Sequence, residues 1–118
     1  MLPKKLRVHR QRDVLYVLRR GRSIPLGIGT ARIKENPFGH PRASVIVSNA
    51  VSKKATVRNT IKRRVREALR NELLPHLQSF DIIIIAKSQA VNASYQQIVS
   101  EFKNLRAKAP YLTREVRP

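Results

Sequence analysis

The chain has 118 residues, and its 25 Lys and Arg against 7 Asp and Glu give a net charge of +18. Such an excess of positive charge is typical of a protein that binds a polyanion, and the lack of an apolar stretch long enough to span a bilayer favours nucleic acid over a membrane. The absence of cysteine excludes disulfides and thiolate metal sites and, with no secretory signal pattern, leads us to expect a cytoplasmic protein.

Residues 10–21 predict a short first helix. Val14, Val17 and Leu18 fall on one helical face, which would pack on the rest of the protein. Two arginines follow in the last turn, and Gly21 stands directly after them, as is common where a helix ends. We therefore expect one short helix that ends at Gly21.

Two strands are predicted after this helix. Residues 24–34 and 42–48 are rich in β-branched and aliphatic side chains, and the sequence ENPFGHP between them indicates a turn. We expect the two strands to form an antiparallel pair. Gly27 and Gly29 stand two apart in the first of them, which indicates a close backbone approach, a bulge or a packed helix.

Residues 54–74 predict a long helix with an apolar row beside a cationic one, and Pro75 follows it. Side chains four residues apart lie above one another along a helix. The apolar row, which should pack on the sheet, is Val57, Ile61, Val65, Leu69 and Leu73. The cationic row is Arg58, Lys62, Arg66 and Arg70, and Asn59 and Arg63 extend it.

The last third of the chain predicts a buried strand and a final helix. Residues 80–87, FDIIIIAK, contain an apolar run that is too uniform for a half-exposed strand, which is typical of a central strand with both faces covered. Ser94 and Gln97 form a capping box at the start of an amphipathic helix. The order of helix, strand, strand, helix, strand and helix predicts one two-layer α/β sandwich in a single domain of residues 1–118, with a frayed tail from about 109 to 118.

The density of arginine in residues 53–70 points to phosphate recognition. Like charges four residues apart repel each other, so a run of them does not serve helix stability. A guanidinium group binds phosphate through two parallel hydrogen bonds and also stacks on bases, whereas a lysine acts as a point charge. This helix is therefore the predicted nucleic-acid-binding element.

The stretch SNAVSKKATVRNTIKRRVREALR, residues 48–70, resembles the signature of the bacterial ribonuclease P protein subunit. In that family a serine at a strand end leads through a basic loop into an Arg-Asn-Arg motif followed by Lys-Arg and Arg-Glu. The short first helix that ends at Gly21, the Asp13 that precedes this glycine, and the strand FDIIIIAK also stand where the family has them. The resemblance implies an α+β sandwich of order α-β-β-(β)-α-β-α with a mixed sheet, like domain 2 of ribosomal protein S5, and a left-handed βαβ crossover.

The resemblance also implies a function, in which the catalyst is an RNA. The family's protein assists a catalytic RNA that removes the 5′ leader of precursor tRNA with Mg²⁺, bound mainly by the RNA. Catalytic RNA and precursor tRNA would be the partners, with no membrane, no obligate protein partner, no catalytic side chain and no metal on the protein. The residues implied to bind RNA are Lys53, Lys54, Arg58, Asn59, Lys62, Arg63, Arg66 and Arg70.

A leader-binding cleft is implied between the first helix and the sheet. Its residues in this chain are Val14, Leu18 and Ser48. The family often has aromatic residues at the positions of Val14 and Leu18, so we expect weaker base stacking here. The chain also departs from the motif at Thr60, where the second arginine is expected, and Arg64 is a candidate to replace that contact. Asn49 and Ala50 stand where lysines are common.

A ribonuclease P subunit is not the only kind of small basic protein that acts on nucleic acid. A protein-only metallonuclease would need carboxylates that converge on Mg²⁺, whereas the seven acidic residues are scattered along the chain and the three histidines have no zinc spacing. A small basic ribosomal protein, or another structural RNA-binding protein, stays open as an alternative, because composition alone does not separate it from a ribonuclease P subunit.

Overall fold

The computed structural model describes residues 2–113 of the chain and contains three α-helices and four strands there. The helices are α1 (Gln11–Arg20), α2 (Ala55–Ala68) and α3 (Tyr95–Lys108). The strands are β1 (Arg22–Leu26), β2 (Gly29–Glu35), β3 (Arg42–Ile46) and β4 (Phe80–Ala86). This order confirms the expected α+β class, including its third strand before the long helix, whereas the likeness to domain 2 of ribosomal protein S5 stays a prediction.

The four strands form one mixed sheet in the order β1-β2-β4-β3. β2 is antiparallel to both β1 and β4, whereas β3 is parallel to β4 and connects to it through α2. The predicted antiparallel pairing of residues 24–34 with 42–48 is therefore wrong. β4 lies between them because its isoleucines are apolar on both faces, and a central strand has both faces covered. The central position of β4 is confirmed, and the left-handed crossover stays a prediction.

Residues 24–34 form a hairpin, and the prediction of one strand there is wrong. Gly27 and Ile28 form the two-residue turn between β1 and β2. The Ile28 N–H donates to Glu101 Oε1 of α3 at 3.3 Å, which holds the turn against that helix. The two spaced glycines thus mark a turn. The apolar residues on either side of it had favoured the prediction of one continuous strand.

Gly29 is the residue in this hairpin that is expected to tolerate substitution least. Its φ is 153°, and a Cβ there would lie 2.0 Å from the Ile85 carbonyl O of β4. We expect Gly29→Ala to lower the free energy of unfolding by about 2 to 4 kcal/mol through overpacking and backbone strain. Gly39→Ala is the control, because Gly39 has a φ of 79° but no atom within 4 Å of such a Cβ. If urea unfolding showed that Gly29→Ala and Gly39→Ala lower the free energy of unfolding equally, this account would be contradicted.

The sheet carries helices on both faces. Side chains alternate between faces along each strand. The face that includes Ile82 and Ile84 shares one apolar core with α2 and α3, through residues such as Ile61 and Phe102. Ile83 points the other way and is fully buried, as is Val17 of α1. α1 therefore covers part of the second face and leaves the rest of it open.

α2 presents its apolar row to the core, as predicted. Ile61, Val65, Leu69 and Leu73 are buried, and Val57 is half-buried against them. The α-helix ends earlier than residue 74, because Leu69–Leu73 form a π-helical turn and Leu74–His76 a 3-10 turn. Pro75 lies in that 3-10 turn and has no N–H to continue a helix.

The segment after α3 packs on the molecule as far as Thr113. Pro110–Leu112 form a 3-10 turn in which Leu112 is fully buried, and Ala109 is buried beside it. The Gln78 N–H donates to the Leu112 carbonyl O at 2.9 Å. The predicted frayed tail is therefore wrong for 109–113, where apolar side chains fill the core edge, and its remainder, 114–118, lies outside the described residues.

Candidate RNA-binding interface

The cationic face of α2 points away from the core. Asn59, Arg63 and Arg70 are exposed, and Lys62 and Arg66 are half-buried at the sides of the helix. Within residues 2–113, the side chains of Lys62, Arg63 and Arg66 form no hydrogen bond or ion pair. These three groups are thus available to an external anion.

Two other cations of the predicted cationic row, Arg58 in α2 and Arg70 in the π-helical turn after it, contact the protein itself. Arg58 Nη1 donates to the Ser52 carbonyl O at 2.8 Å, which joins the first turn of α2 to the loop before it. Arg70 forms an ion pair with Glu67, one helical turn earlier. Arg58 therefore also has a structural role, and the charge of Arg70 is partly balanced.

Arg64 is turned away from the cationic face. Its Nη1 lies 3.4 Å from the Ala93 carbonyl O, in the segment that leads into α3. Thr60 uses its hydroxyl within the helix, where Oγ1 donates to the Thr56 carbonyl O at 2.9 Å. Arg64 thus lies off the cationic face in this structure, and its replacement of the arginine absent at position 60 stays a prediction.

The loop between β3 and α2 carries the other predicted basic residues. Ser48, Lys53 and Lys54 are all exposed. The Val51 N–H donates to the Ser48 carbonyl O at 3.1 Å, and the Lys54 N–H donates to Ser52 Oγ at 3.2 Å. These bonds make the loop a series of tight turns that place two lysines directly before α2.

α1 crosses the second face of the sheet from β3 towards β2. Near its start, Asp13 lies 3.6 Å from Arg42 of β3, measured from Oδ2 to Nη1. Near its end, the Leu18 carbonyl O accepts a hydrogen bond of 2.6 Å from Arg32 Nη2 of β2. Fully buried Val17 anchors the helix between these two contacts.

The crossing gives α1 two flanks. Val14 and Leu18, both half-buried, lie on the flank towards the uncovered part of the sheet, where Ile46 and Ile85 pair in register and are half-buried. Ser48 follows β3 at this same end of the sheet. The structure thus brings the three predicted cleft residues to one end of the sheet, next to the beginning of α2.

A polar network fixes the opposite end of the sheet, and sequence reasoning missed it. Asp81 is the one buried charged residue among residues 2–113. It accepts hydrogen bonds from Arg42 Nε at 2.9 Å, Arg42 Nη2 at 2.6 Å and Asn36 Nδ2 at 2.8 Å. The hydrogen bonds to Asp81 raise the pKa of the Arg42 guanidinium above its usual value. The sequence feature that could have revealed this network is the single carboxylate, Asp81, inside the otherwise apolar strand sequence FDIIII.

Across residues 2–113, no three His, Asp or Glu side chains lie close enough together to hold a metal ion. No helix of that part of the chain is long and apolar enough to cross a membrane.

Comparison with known proteins identifies one family. The Ribonuclease P family profile matches residues 2–110. The ribonuclease P protein component of Synechocystis is 34% identical over 110 residues, covering 92% of this chain and 88% of the relative. That of a Cyanothece strain is 45% identical over 73 residues, or 61% of this chain and 55% of the relative. The RNase P protein of Staphylococcus aureus has a similar fold, with a TM-score of 0.78, 24% identity, and coverage of 92% of this chain and 98% of that one.

Proposed function

This chain belongs to the ribonuclease P protein family, and from that membership we propose that it binds a catalytic RNA and the 5′ leader of precursor tRNA and assists removal of that leader. The observation that carries the proposal is the cationic face of α2. Within residues 2–113 this face presents Lys62, Arg63 and Arg66 without protein partners. The open part of the sheet face that α1 crosses lies at the sheet end where α2 begins. A family member with these two surfaces is suited to hold two RNA segments at once.

The α2 face is assigned to the catalytic RNA. Close-packed phosphates in a folded RNA repel each other, and a rigid row of cations lowers that repulsion without the entropy cost of condensing free ions. Lys53, Lys54 and Arg58 extend the positive charge to the start of the helix. Arg70, with Glu67 beside it, is expected to contribute less than Arg63.

The leader is assigned to the cleft between α1 and the open part of the sheet. Val14 and Leu18 offer it aliphatic contacts, and Ser48 offers a hydroxyl at its edge. Binding a leader there favours precursor over mature product, because the product has no leader. The chemistry of hydrolysis is assigned to the RNA and to Mg²⁺ held mainly by the RNA, in the cytoplasm of a bacterium.

The test is cleavage of a precursor tRNA by a bacterial ribonuclease P RNA at low Mg²⁺, with and without this protein. We expect cleavage at the mature 5′ boundary to depend on the protein, because its cations replace part of the Mg²⁺ that neutralises RNA phosphates. Polylysine at the same total charge is the control for a general polycation effect. Equal stimulation by polylysine, or none by folded protein, would favour the small ribosomal or structural RNA-binding alternative.

Leader binding gives a separate prediction at α1. Base stacking on an aromatic side chain contributes about 1 to 3 kcal/mol per base, and Val14 and Leu18 do not provide it. We expect Val14→Phe and Leu18→Phe to increase the affinity of the complex for precursor tRNA while leaving its affinity for mature tRNA unchanged. Fluorescence anisotropy with both labelled RNAs measures this difference. Unchanged precursor affinity would remove these residues from the leader cleft.

A further inference from the structure

The other flank of α1 lines a second groove. An α-helix turns by about 100° per residue, so Tyr16 and Arg20 lie roughly opposite Val14 and Leu18 across the helix. On that flank, Lys34 Nζ of β2 lies 5.9 Å from the centre of the Tyr16 ring. The groove is therefore separated from the proposed leader cleft by the body of α1.

The groove continues along the end of the sheet where β4 begins. A cavity of about 600 Å³ beside α1 and one of about 300 Å³ beside β4 share Arg20 and Lys34 in their walls. We call this surface the tyrosine groove and define it by six residues. They are Tyr16, Arg20, Arg22, Lys34, Phe80 and Tyr111.

Each tyrosine of the groove has a cation at its ring and remains accessible. Tyr16 is 53% exposed and Tyr111 is 47% exposed. Arg22 Cζ lies 5.0 Å from the Tyr111 ring centre, and Phe80 packs edge-on against that ring at 6.4 Å. A large aromatic side chain left half in water, with its orientation fixed by neighbours, offers a ready surface on which a base can stack.

The charge of the groove is unbalanced. In the part of the chain that the structure describes, Arg20, Arg22 and Lys34 form no ion pair. Among the described residues, Glu35 is the one acidic residue lining the two cavities, and it is exposed. Three such cations between two accessible rings match the alternation of phosphate and base in a single strand. A double helix does not fit this pattern, because its bases are stacked inside.

We infer that the tyrosine groove is a second single-stranded RNA site, in which bases stack on Tyr16 and Tyr111 and phosphates bind Arg20, Arg22 and Lys34. The inference rests on the proposed function in that the partner is RNA. Its strand is either a more distant part of the leader or an unpaired segment of the catalytic RNA. The groove lies at the sheet end that carries Lys34 and Phe80, away from the beginning of α2.

The chain has no tryptophan, so single substitutions give local fluorescent reporters. A short oligoadenylate should quench the tryptophan fluorescence of the Tyr16→Trp and Tyr111→Trp proteins, because its bases stack on the indole ring. Inorganic polyphosphate, which has charge but no bases, should not quench it. Tyr95→Trp is the matched control, because Tyr95 lies on α3, where its hydroxyl O is 3.1 Å from Asn71 Nδ2. Absence of quenching at Tyr16→Trp and Tyr111→Trp, or equal quenching by polyphosphate, would overturn the inference.

The affinity of the groove is measured in the Tyr111→Trp reporter. Adding Tyr16→Ala should weaken oligoadenylate binding by about five- to 150-fold, the range that corresponds to loss of one stacked base. Tyr16→Phe keeps the ring and should leave the affinity unchanged. Equal affinities of the Tyr16→Ala and Tyr16→Phe proteins would show that the ring contributes only to the protein's own surface.

The assembled complex identifies the source of the strand. If Tyr16→Ala weakens binding of precursors with long leaders but not short ones, the strand is the distant leader. If it weakens assembly with the catalytic RNA, the strand belongs to that RNA. If Tyr16→Ala changes neither precursor binding nor assembly with the catalytic RNA, the groove does not bind RNA in the complex and the inference is overturned. Because wild-type stimulation at low Mg²⁺ is measured separately, loss of this inference and loss of the proposed function are distinguishable.

Discussion

Replacing Arg63 and Arg66 of α2 together by alanine is expected to weaken binding to the catalytic RNA by about 25- to 60-fold at 0.1 M salt. Each phosphate contact contributes roughly 0.7 to 0.9 to the slope of log K against log salt. Two contacts therefore contribute about 1.4 to 1.8 log units of affinity between 1 M and 0.1 M salt, which is about 25- to 60-fold. Both guanidinium groups lie outside the core and have no protein partner among residues 2–113. Their loss should therefore affect RNA binding and leave the fold intact.

The salt dependence of binding measures how many contacts are lost. If the wild-type protein neutralises about five phosphates, its slope should be roughly −3.5 to −4.5, and that of the double variant should be shallower by about 1.4 to 1.8. The matched control is Lys103→Ala with Lys108→Ala, which removes the same charge from the exposed side of α3. Similar losses in both double variants would mean that only net charge matters.

Stability provides the second half of this comparison. Ile61→Ala, on the apolar row of the same helix, should cost about 2 to 5 kcal/mol because it leaves a cavity under α2. The Arg63→Ala, Arg66→Ala protein should unfold at nearly the wild-type urea concentration. If both proteins lost stability equally, the assignment of one row to the core and the other to RNA would be wrong.

Replacing Asp81 by alanine is expected to lower the free energy of unfolding by about 3 to 5 kcal/mol, which is typical for breaking a buried ion pair from one side. The Arg42 side chain is 12% exposed and the Asp81 side chain 8%. Without Asp81, the guanidinium loses two hydrogen bonds and keeps a charge that is largely shielded from water. The network that joins β3, β4 and α1 would thus lose its central acceptor.

The control for Asp81→Ala is Glu67→Ala, which breaks the exposed pair with Arg70. An exposed ion pair contributes about 0 to 1 kcal/mol, so this variant should unfold close to wild type in urea. Because the raised pKa keeps Arg42 charged at all pH values below its ordinary pKa, arginine deprotonation does not weaken the pair in that range. Equal destabilisation by the two substitutions would contradict the buried network.

Some elements could be read directly from local patterns. Ser94 and Gln97 form the predicted capping box, with the Ser94 N–H donating to Gln97 Oε1 at 2.7 Å and the Gln97 N–H donating to Ser94 Oγ at 3.1 Å. The apolar row of α2 was equally clear, because four-residue spacing is a property of the helix alone. Such features depend on neighbours in sequence, so no knowledge of the fold is required.

Other features depended on contacts that the sequence does not specify locally. Arg58 looked like a pure RNA ligand, yet it also bonds to the Ser52 carbonyl, and Arg64 is directed to Ala93. Tyr16 and Tyr111 are far apart in the chain, and the sequence analysis predicted neither of them as a site residue. They line one groove only because α1 and the segment after α3 reach the same end of the sheet.

The sequence by itself determined the fold class, the central strand, the two rows of α2 and the expectation of an RNA partner, because composition and short-range periodicity carry that information. The tertiary structure alone decided that residues 24–34 turn back as a hairpin, that β4 separates β2 from β3, and that Asp81 joins Arg42 to the sheet. Those outcomes follow because both faces of the apolar strand β4 must be buried and because the buried charge of Asp81 must be paired with Arg42. They are set by the competition among long-range contacts, which no local pattern encodes.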